Sequence, residues 1–319
     1  MVCWAVIVWW FDRYEKEPVH LLVVSFLWGV APAVIISAIT EVVLGLLSGY
    51  QGGPAPTGLS FFNLGIVAPI VEEGVKLLGV LGVFRIARQE IDGPLDGIIY
   101  GAMVGFGFAA TENTMVFFSS QSVGEWVFLF FLRAMVFGSI HAMFTSFAGL
   151  GLAFAKYARD GRRAFLWAAG GFLAAVLFHG LHNTALVLAE RSPAFVLLGL
   201  LFYGVGIILI VMLAVGSLIR ERRTIRTYLQ PYVEQGLLLP RQWEAAVSMR
   251  TRLMSEWEAL GRLDLQTYRA VARMHTICAE LAFKEKQRRL LGDDPHITLQ
   301  IEKLSMEIRN LSTGKPPVA

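Results

Sequence analysis

The chain has 319 residues, 55% hydrophobic and 17% charged, with a mean hydropathy of +0.56. Soluble domains run near 45–50% apolar and about 25% charged, so a single ordinary soluble domain is excluded. Charge is uneven along the chain: residues 1–219 hold 11 Lys/Arg and 13 Asp/Glu, and residues 220–319 hold 17 and 12.

This division predicts a membrane domain over 1–219 and a soluble, mildly basic tail over 220–319. Cys3 and Cys278 lie at opposite ends. They provide no disulfide framework, and without a CxxC pair a thiol zinc site is excluded.

The first residues, "MVCWAVIVWWFDRYEKEP", have neither a basic leader nor a small-residue cleavage site, so a signal peptide is not expected. Their apolar part is about ten residues, half the ~20 a spanning helix needs, which suggests a truncated or half-length first helix. Apolar runs then follow at about 19–48, 59–86, 97–119, 126–156, 164–190 and 194–219. Each is long enough to span as a helix, the first with a tilt or a kink at Pro32.

Positive residues alternate by loop. Arg13/Lys16, Arg85/Arg88 and Lys156/Arg159/Arg162/Arg163 mark one side, "RERRTIR" opens the tail on that side, and the loops near 49–58 and 119–126 carry none. The positive-inside rule then places the tail in the cytoplasm. The expected fold is an all-α, polytopic transmembrane bundle of six full spans plus an N-terminal partial span, with a helical cytoplasmic C-terminal region.

In the tail, helices are expected over 240–262, 264–292 and 295–311, with 312–319 frayed. Repeats, low-complexity tracts and nucleic-acid motifs are lacking. The basic juxtamembrane run is explained by topology and anionic lipid, so the expected partners are the bilayer and membrane proteins, not nucleic acid.

Few ionisable residues lie inside the apolar runs. They are Glu72, Glu73 and Lys76 in "APIVEEGVKLLGV", Glu112, His141, and His179 with His182. Counted from the cytoplasmic markers, Glu72 lies 13 residues from Arg85, Glu112 lies 16 from Asp96, His141 lies 15 from Lys156 and His179 lies 16 from Arg163.

At ~1.5 Å per residue, all four sit at one depth near the bilayer centre or somewhat outside it. Charges there cost about 3 kcal/mol on insertion scales and face a protein interior or a water-filled cavity. Four helices contributing at one level point to a shared site.

Glu72 and Lys76 are i,i+4, which pairs them and leaves Glu73, about 100° around, free for chemistry. Pro69 is placed to bend its helix. His179/Asn183 and His141/Thr145 are each one turn apart, and Gly101/Gly105 form a GxxxG that permits close helix approach. Glu41 and Arg133 are expected to snorkel near the outer surface, Arg13, Glu15 and Lys16 to form a solvated loop, and His182 to pack or hydrogen-bond.

Carboxylates with two histidines suit a zinc-bound water. They equally suit metal-free water activation with His and Asn polarising a carbonyl. A proton-coupled transporter ranks lower because no paired discontinuous helices support it. A non-catalytic membrane scaffold or receptor of the same fold is the other alternative.

The ordered motifs "DRYEKEP", "APIVEEGVK", "DGIIYGAMVGFGFAATEN", "HAMFTSFAG" and "HGLHNTAL" resemble those of PrsW-type intramembrane proteases, relatives of the CAAX-processing (ABI) endopeptidases, over roughly residues 8–215. The EExxK motif maps to Glu72, Glu73 and Lys76, and FxxxE to Phe108 and Glu112. The histidine motifs map to His141 and to His179 with Asn183.

The resemblance implies a multi-pass peptidase of the inner (cell) membrane that cuts single-pass proteins, as in regulated proteolysis of anti-sigma factors. His182 departs from the family's usual aromatic and becomes a weaker candidate ligand. The tail lies outside the shared core, with partner recruitment, access control or homo-oligomerisation as its expected uses.

On this basis Glu73 is the expected general base, with Glu72 second. Glu112, His141 and His179 bind zinc or position the water, Asn183 stabilises the oxyanion, and Lys76 keeps a carboxylate charged.

Overall fold

The computed structural model describes residues 1–12, 14, 16–47, 61–88, 90–262 and 264–312, with Leu291 described by its backbone alone. The expectations placed on Arg13, Glu15, the loop 49–58 and the end 313–319 lie outside the described residues. All regular elements among the described residues are helical.

Two compact units divide the chain: Met1–Phe11 with Glu17–Val215, and Asp12–Lys16 with Gly216–Ala319. In the first unit, α1 (Val2–Phe11) is a ten-residue apolar stub. α2 (Val19–Leu47) opens into a wide π turn at Gly29–Ala33, which contains Pro32. Proline has no N–H to give the i−4 carbonyl, so the helix widens at the position where a kink was expected.

A second wide turn, Asn63–Val67, leads into α3 (Ala68–Ile86). Pro69 follows directly on this wide turn within one continuous helical run, and the widened turn accommodates its missing N–H. The irregularity expected at Pro69 therefore appears just before it.

α4 (Pro94–Phe118) starts with Pro94 and with the Asp96 carboxylate accepting the Gly93 N–H at 2.8 Å. α5 (Val123–Phe130) passes into a third wide turn, Phe131–Val136, and the chain breaks at 137–139 before α6 (Ile140–Lys156). The single regular helix expected over 126–156 is thus interrupted.

α7 (Gly161–Ala189) is capped by Asp160, which accepts the Arg163 N–H at 2.8 Å. α8 (Ala194–Glu234) runs through the unit boundary. Among the described residues, four helical stretches are long and apolar enough to cross a membrane: Val19–Leu47, Val123–Lys156, Gly161–Ala189 and Ala194–Glu234.

α4 packs chiefly on α6, and α6 on α7. Glycine makes the first of these contacts possible. A Cβ on Gly101 would meet the Thr145 carbonyl oxygen at 2.5 Å, and one on Gly105 the His141 carbonyl oxygen at 2.4 Å. The GxxxG thus sets the backbone of the His141 helix directly against the helix that carries Glu112.

The second unit holds α9 (Pro240–Val247), α10 (Met249–Gly261), α11 (Leu265–Leu291) and α12 (Pro295–Ser312) around a core that includes Ile225, Ile277, Cys278, Leu281 and Ile308. The helix expected over 240–262 is two helices. Ser248 leaves helical geometry and its hydroxyl accepts the Thr251 N–H, capping α10. Gly292 ends α11 at φ +92°, a value L side chains avoid.

Of the residues expected to form a solvated loop, Lys16 is described, and its neighbours Tyr14 and Glu17 turn inward. Lys16 is exposed, but Tyr14 is buried in the second unit, its hydroxyl donating to the Val247 carbonyl at 3.2 Å. In the first unit Glu17 is buried and accepts the Tyr100 hydroxyl.

Candidate active site

α3 presents "EEGVK" toward α6 and α7, which makes Lys76 the hub of the polar cluster. Its ammonium donates to Glu73 Oε1 at 2.8 Å and to Glu72 Oε2 at 3.1 Å, and lies 3.1 Å from His141 Nδ1. The Phe108 ring closes the remaining side, its centroid 3.7 Å from Nζ. Lys76 is fully buried, and a buried ammonium persists only when its protons are taken up in this way.

Glu73 is equally enclosed. It receives Lys76 on Oε1, lies 3.0 Å from His179 Nδ1, and accepts the Thr145 hydroxyl on Oε2 at 3.0 Å. This geometry corrects the expected division in which Lys76 serves Glu72 and Glu73 stays free. Both carboxylates share the ammonium, and Glu73, with no exposed surface, is the more engaged of the two.

Glu72 keeps 15% of its side chain exposed and lines a cavity of about 410 Å³. Glu112, His141, His179, His182, Asn183, Glu41 and Arg133 line the same cavity. The carboxylates and imidazoles aligned by depth therefore do meet: His141 Nε2 lies 2.6 Å from Glu112 Oε2, and His179 Nε2 lies 3.9 Å from Glu72 Oε2.

The remaining predicted residues fall around this centre. Asn183 donates one amide hydrogen to the Leu64 carbonyl at 3.0 Å, which ties α7 to the wide turn before α3. His182 is buried against the rings of Phe137 and Phe144, and its Nδ1 has no hydrogen-bond partner among the described residues.

Glu41 and Arg133 are not surface residues that snorkel. They reach the cavity, Arg133 through the wide turn Phe131–Val136, which redirects side chains relative to a regular helix.

Among the described residues, one group of His, Cys, Asp or Glu side chains brings metal-ligand atoms together. In Glu72, His141 and His179 these atoms lie within 4.8 Å of one another. Glu112, expected as a ligand, instead pairs with His141 and Arg133. One carboxylate and two imidazoles is a donor set that suits a tetrahedral divalent ion with an open position. Glu73 on His179 Nδ1 supplies the outer carboxylate that orients such a ligand and leaves Nε2 facing the group.

The sequence model described as "PrsW family intramembrane metalloprotease" matches residues 17–216. The chain belongs to the PrsW family. It is 33% identical over 180 residues to a protein named Protease PrsW from Geobacillus kaustophilus, covering 56% of this chain and 73% of that one. The Clostridioides difficile Protease PrsW is 34% identical over 184 residues, at 56% and 73% coverage. The Bacillus subtilis Protease PrsW is 30% identical over 172 residues, at 54% and 72%. No solved structure matches the chain.

PrsW membership makes the protein a membrane-embedded peptidase, and the matched segment contains the whole polar cavity.

Proposed function

We propose that the chain hydrolyses peptide bonds of single-pass membrane proteins at the cavity, with Glu72, His141 and His179 holding a divalent ion, zinc being the best match to the donors. The observation that carries this reading is the convergence of those three side chains on one polar cavity of about 410 Å³. Such an ion, when bound, polarises the scissile carbonyl and acidifies water.

The protein's own groups do the rest. Glu112, whose side chain is 38% exposed in the cavity, takes a proton from the attacking water and returns it to the leaving nitrogen as the C–N bond breaks. The second amide hydrogen of Asn183 stabilises the developing oxyanion. Glu73 and Lys76 fix the orientation of His179 and Glu72. In this reading Glu73 is a positioning residue, not the base.

A specific observation favours a second, metal-free reading. The Lys76 ammonium already sits against both Glu72 Oε2 and His141 Nδ1, so an internal cation stands where a metal would compete. Glu72 is then the base. Metal analysis of purified protein, with cleavage measured before and after a membrane-permeant chelator, separates the two. Near-stoichiometric zinc with chelator-sensitive, zinc-restored turnover supports the first, and chelator-insensitive turnover supports the second.

α3 and α4, at 19 and 25 residues, are about 28 and 37 Å long at the α-helical rise, enough to span as well. α3 carries Glu72, Glu73, Lys76 and Arg85, and α4 carries Asp96 and Glu112, which lowers their hydropathy. These lengths and the distribution of positive loops support our reading of six spans with a cytoplasmic tail, in the inner membrane. The tail then serves as the contact region for a regulatory partner or a second copy.

A further inference from the structure

We infer that Arg133 is the positioning residue that fixes the Glu112 carboxylate at the reacting centre; this rests on the role given to Glu112 above. Arg133 Nη2 donates to Glu112 Oε1 at 2.8 Å, and its Nε donates to Asn113 Oδ1 at 2.7 Å. The Asn113 amide returns a hydrogen bond to the Arg133 carbonyl at 3.3 Å. Glu112 Oε2, on the other side, meets His141 Nε2 at 2.6 Å. The guanidinium therefore supplies the hydrogen bond that holds the carboxylate, at Oε1, while the buried Oε2 has no hydrogen-bond partner among the described residues.

Charge alone does not account for this arrangement. An ammonium neutralises Glu112 as well as a guanidinium does, but it is a point charge on a flexible stem. The planar fork of arginine reaches two fixed acceptors at once. Glu112 and Asn113 are consecutive on α4 and diverge by about 100°, and the fork spans that arc.

The backbone under Arg133 is specialised too. The residue lies in the wide turn just before the break at 137–139, and the Trp4 indole N–H pins that turn by donating to the Ala134 carbonyl at 3.0 Å. The Gly138 position, within the break, packs directly against the Trp4 ring. An arginine in an apolar run is costly, and here its donors go to the carboxylate at the site instead of to the membrane surface.

The test uses the full-length protein in liposomes, cutting a quenched-fluorescent single-pass peptide already shown to be cleaved by the wild type. Arg133→Lys is expected to lower kcat about 100-fold, the effect of misplacing a reacting group by ~1 Å, with KM within about twofold. Arg133→Ala should regain at least about tenfold activity when methylguanidinium is added, a rescue that a merely structural role would not give.

Glu112→Gln should be as impaired as the Arg133→Lys/Glu112→Gln double variant, because the two residues act as one unit. Wild-type kcat in Arg133→Lys, or additive losses in the double variant, overturns the inference while leaving the role of Glu112 intact. Wild-type turnover in Glu112→Gln overturns both. If Arg133→Ala proves unfolded by thermal melting, the Lys variant and the double variant decide.

Discussion

Replacing Gly105 by alanine perturbs the site without touching a polar group. The new Cβ would lie 2.4 Å from the His141 carbonyl oxygen and 2.6 Å from both the N and the Cα of Ala142, where ordinary contact begins near 3.4 Å. All three opposing atoms are backbone, so no flexible side chain can yield. α6 must retreat from α4 by about 1 Å, taking His141 away from Glu112, and a shift of that size costs ~100-fold in rate.

Overpacking destabilises by about 1–3 kcal/mol, offset by the ~1 kcal/mol that alanine gains over glycine in a helix. The net loss is about 0–2 kcal/mol, small enough to leave folded protein. The assay is the initial rate of peptide cleavage in liposomes, with thermal unfolding measured in parallel. Gly82→Ala, whose Cβ meets nothing within 4 Å, is the control and should keep full activity. A Gly105→Ala protein with wild-type kcat would refute the idea that glycine contact registers His141 against Glu112.

Glu73→Gln leaves the buried Lys76 ammonium short of its nearest counter-charge. Breaking such a pair costs about 3–5 kcal/mol, so the variant should unfold at clearly lower denaturant in detergent, and an unchanged midpoint would count against the buried role. Burial pushes the Cys278 thiol up to about 12. In a Cys3→Ser background, maleimide should label the protein only after unfolding, and rapid native labelling would contradict the packing of the second unit.

Burial also holds the His275 imidazole below its ordinary range, against the pull of Glu256. Because the folded value lies below the unfolded one, near 6.5, stability is full above about pH 6.5 and is lost as pH falls toward the folded value. His275→Gln should flatten that acid-side loss in thermal melts between about pH 8 and pH 5. Parallel profiles for the variant and the wild type would dispose of this explanation.

The helices and the shared depth of Glu72, Glu112, His141 and His179 were legible because rise per residue and charge placement are local properties. Choice of partner was not. Lys76 stands at i+4 from Glu72 and i+3 from Glu73, and both spacings are within reach on a helix. What engages Glu73 comes from elsewhere, Thr145 on α6 and His179 on α7.

Arg133 was misread for a related reason. Its place eight residues from Glu125 put it close to the outer surface. However, the wide turn that carries it to Glu112 depends on a break and on a contact with Trp4, 130 positions away. Glu41 similarly owes its place on the cavity to the packing of α2 against α3. The Ser248 break in the tail had only a local cap as its signal, and a helix-favouring composition obscured it.

The central claim is that the four-helix polar cavity is where a peptide bond is cut, with Glu72 rather than Glu73 facing the chemistry. The most direct measurement compares cleavage of one single-pass peptide by wild type and Glu72→Gln, each in liposomes and each shown to be folded by its melting profile. Both readings of the mechanism need the Glu72 carboxylate, as ligand or as base, and predict a loss of at least about 100-fold in kcat. Glu72→Gln turning over at the wild-type rate while still folded would contradict the account.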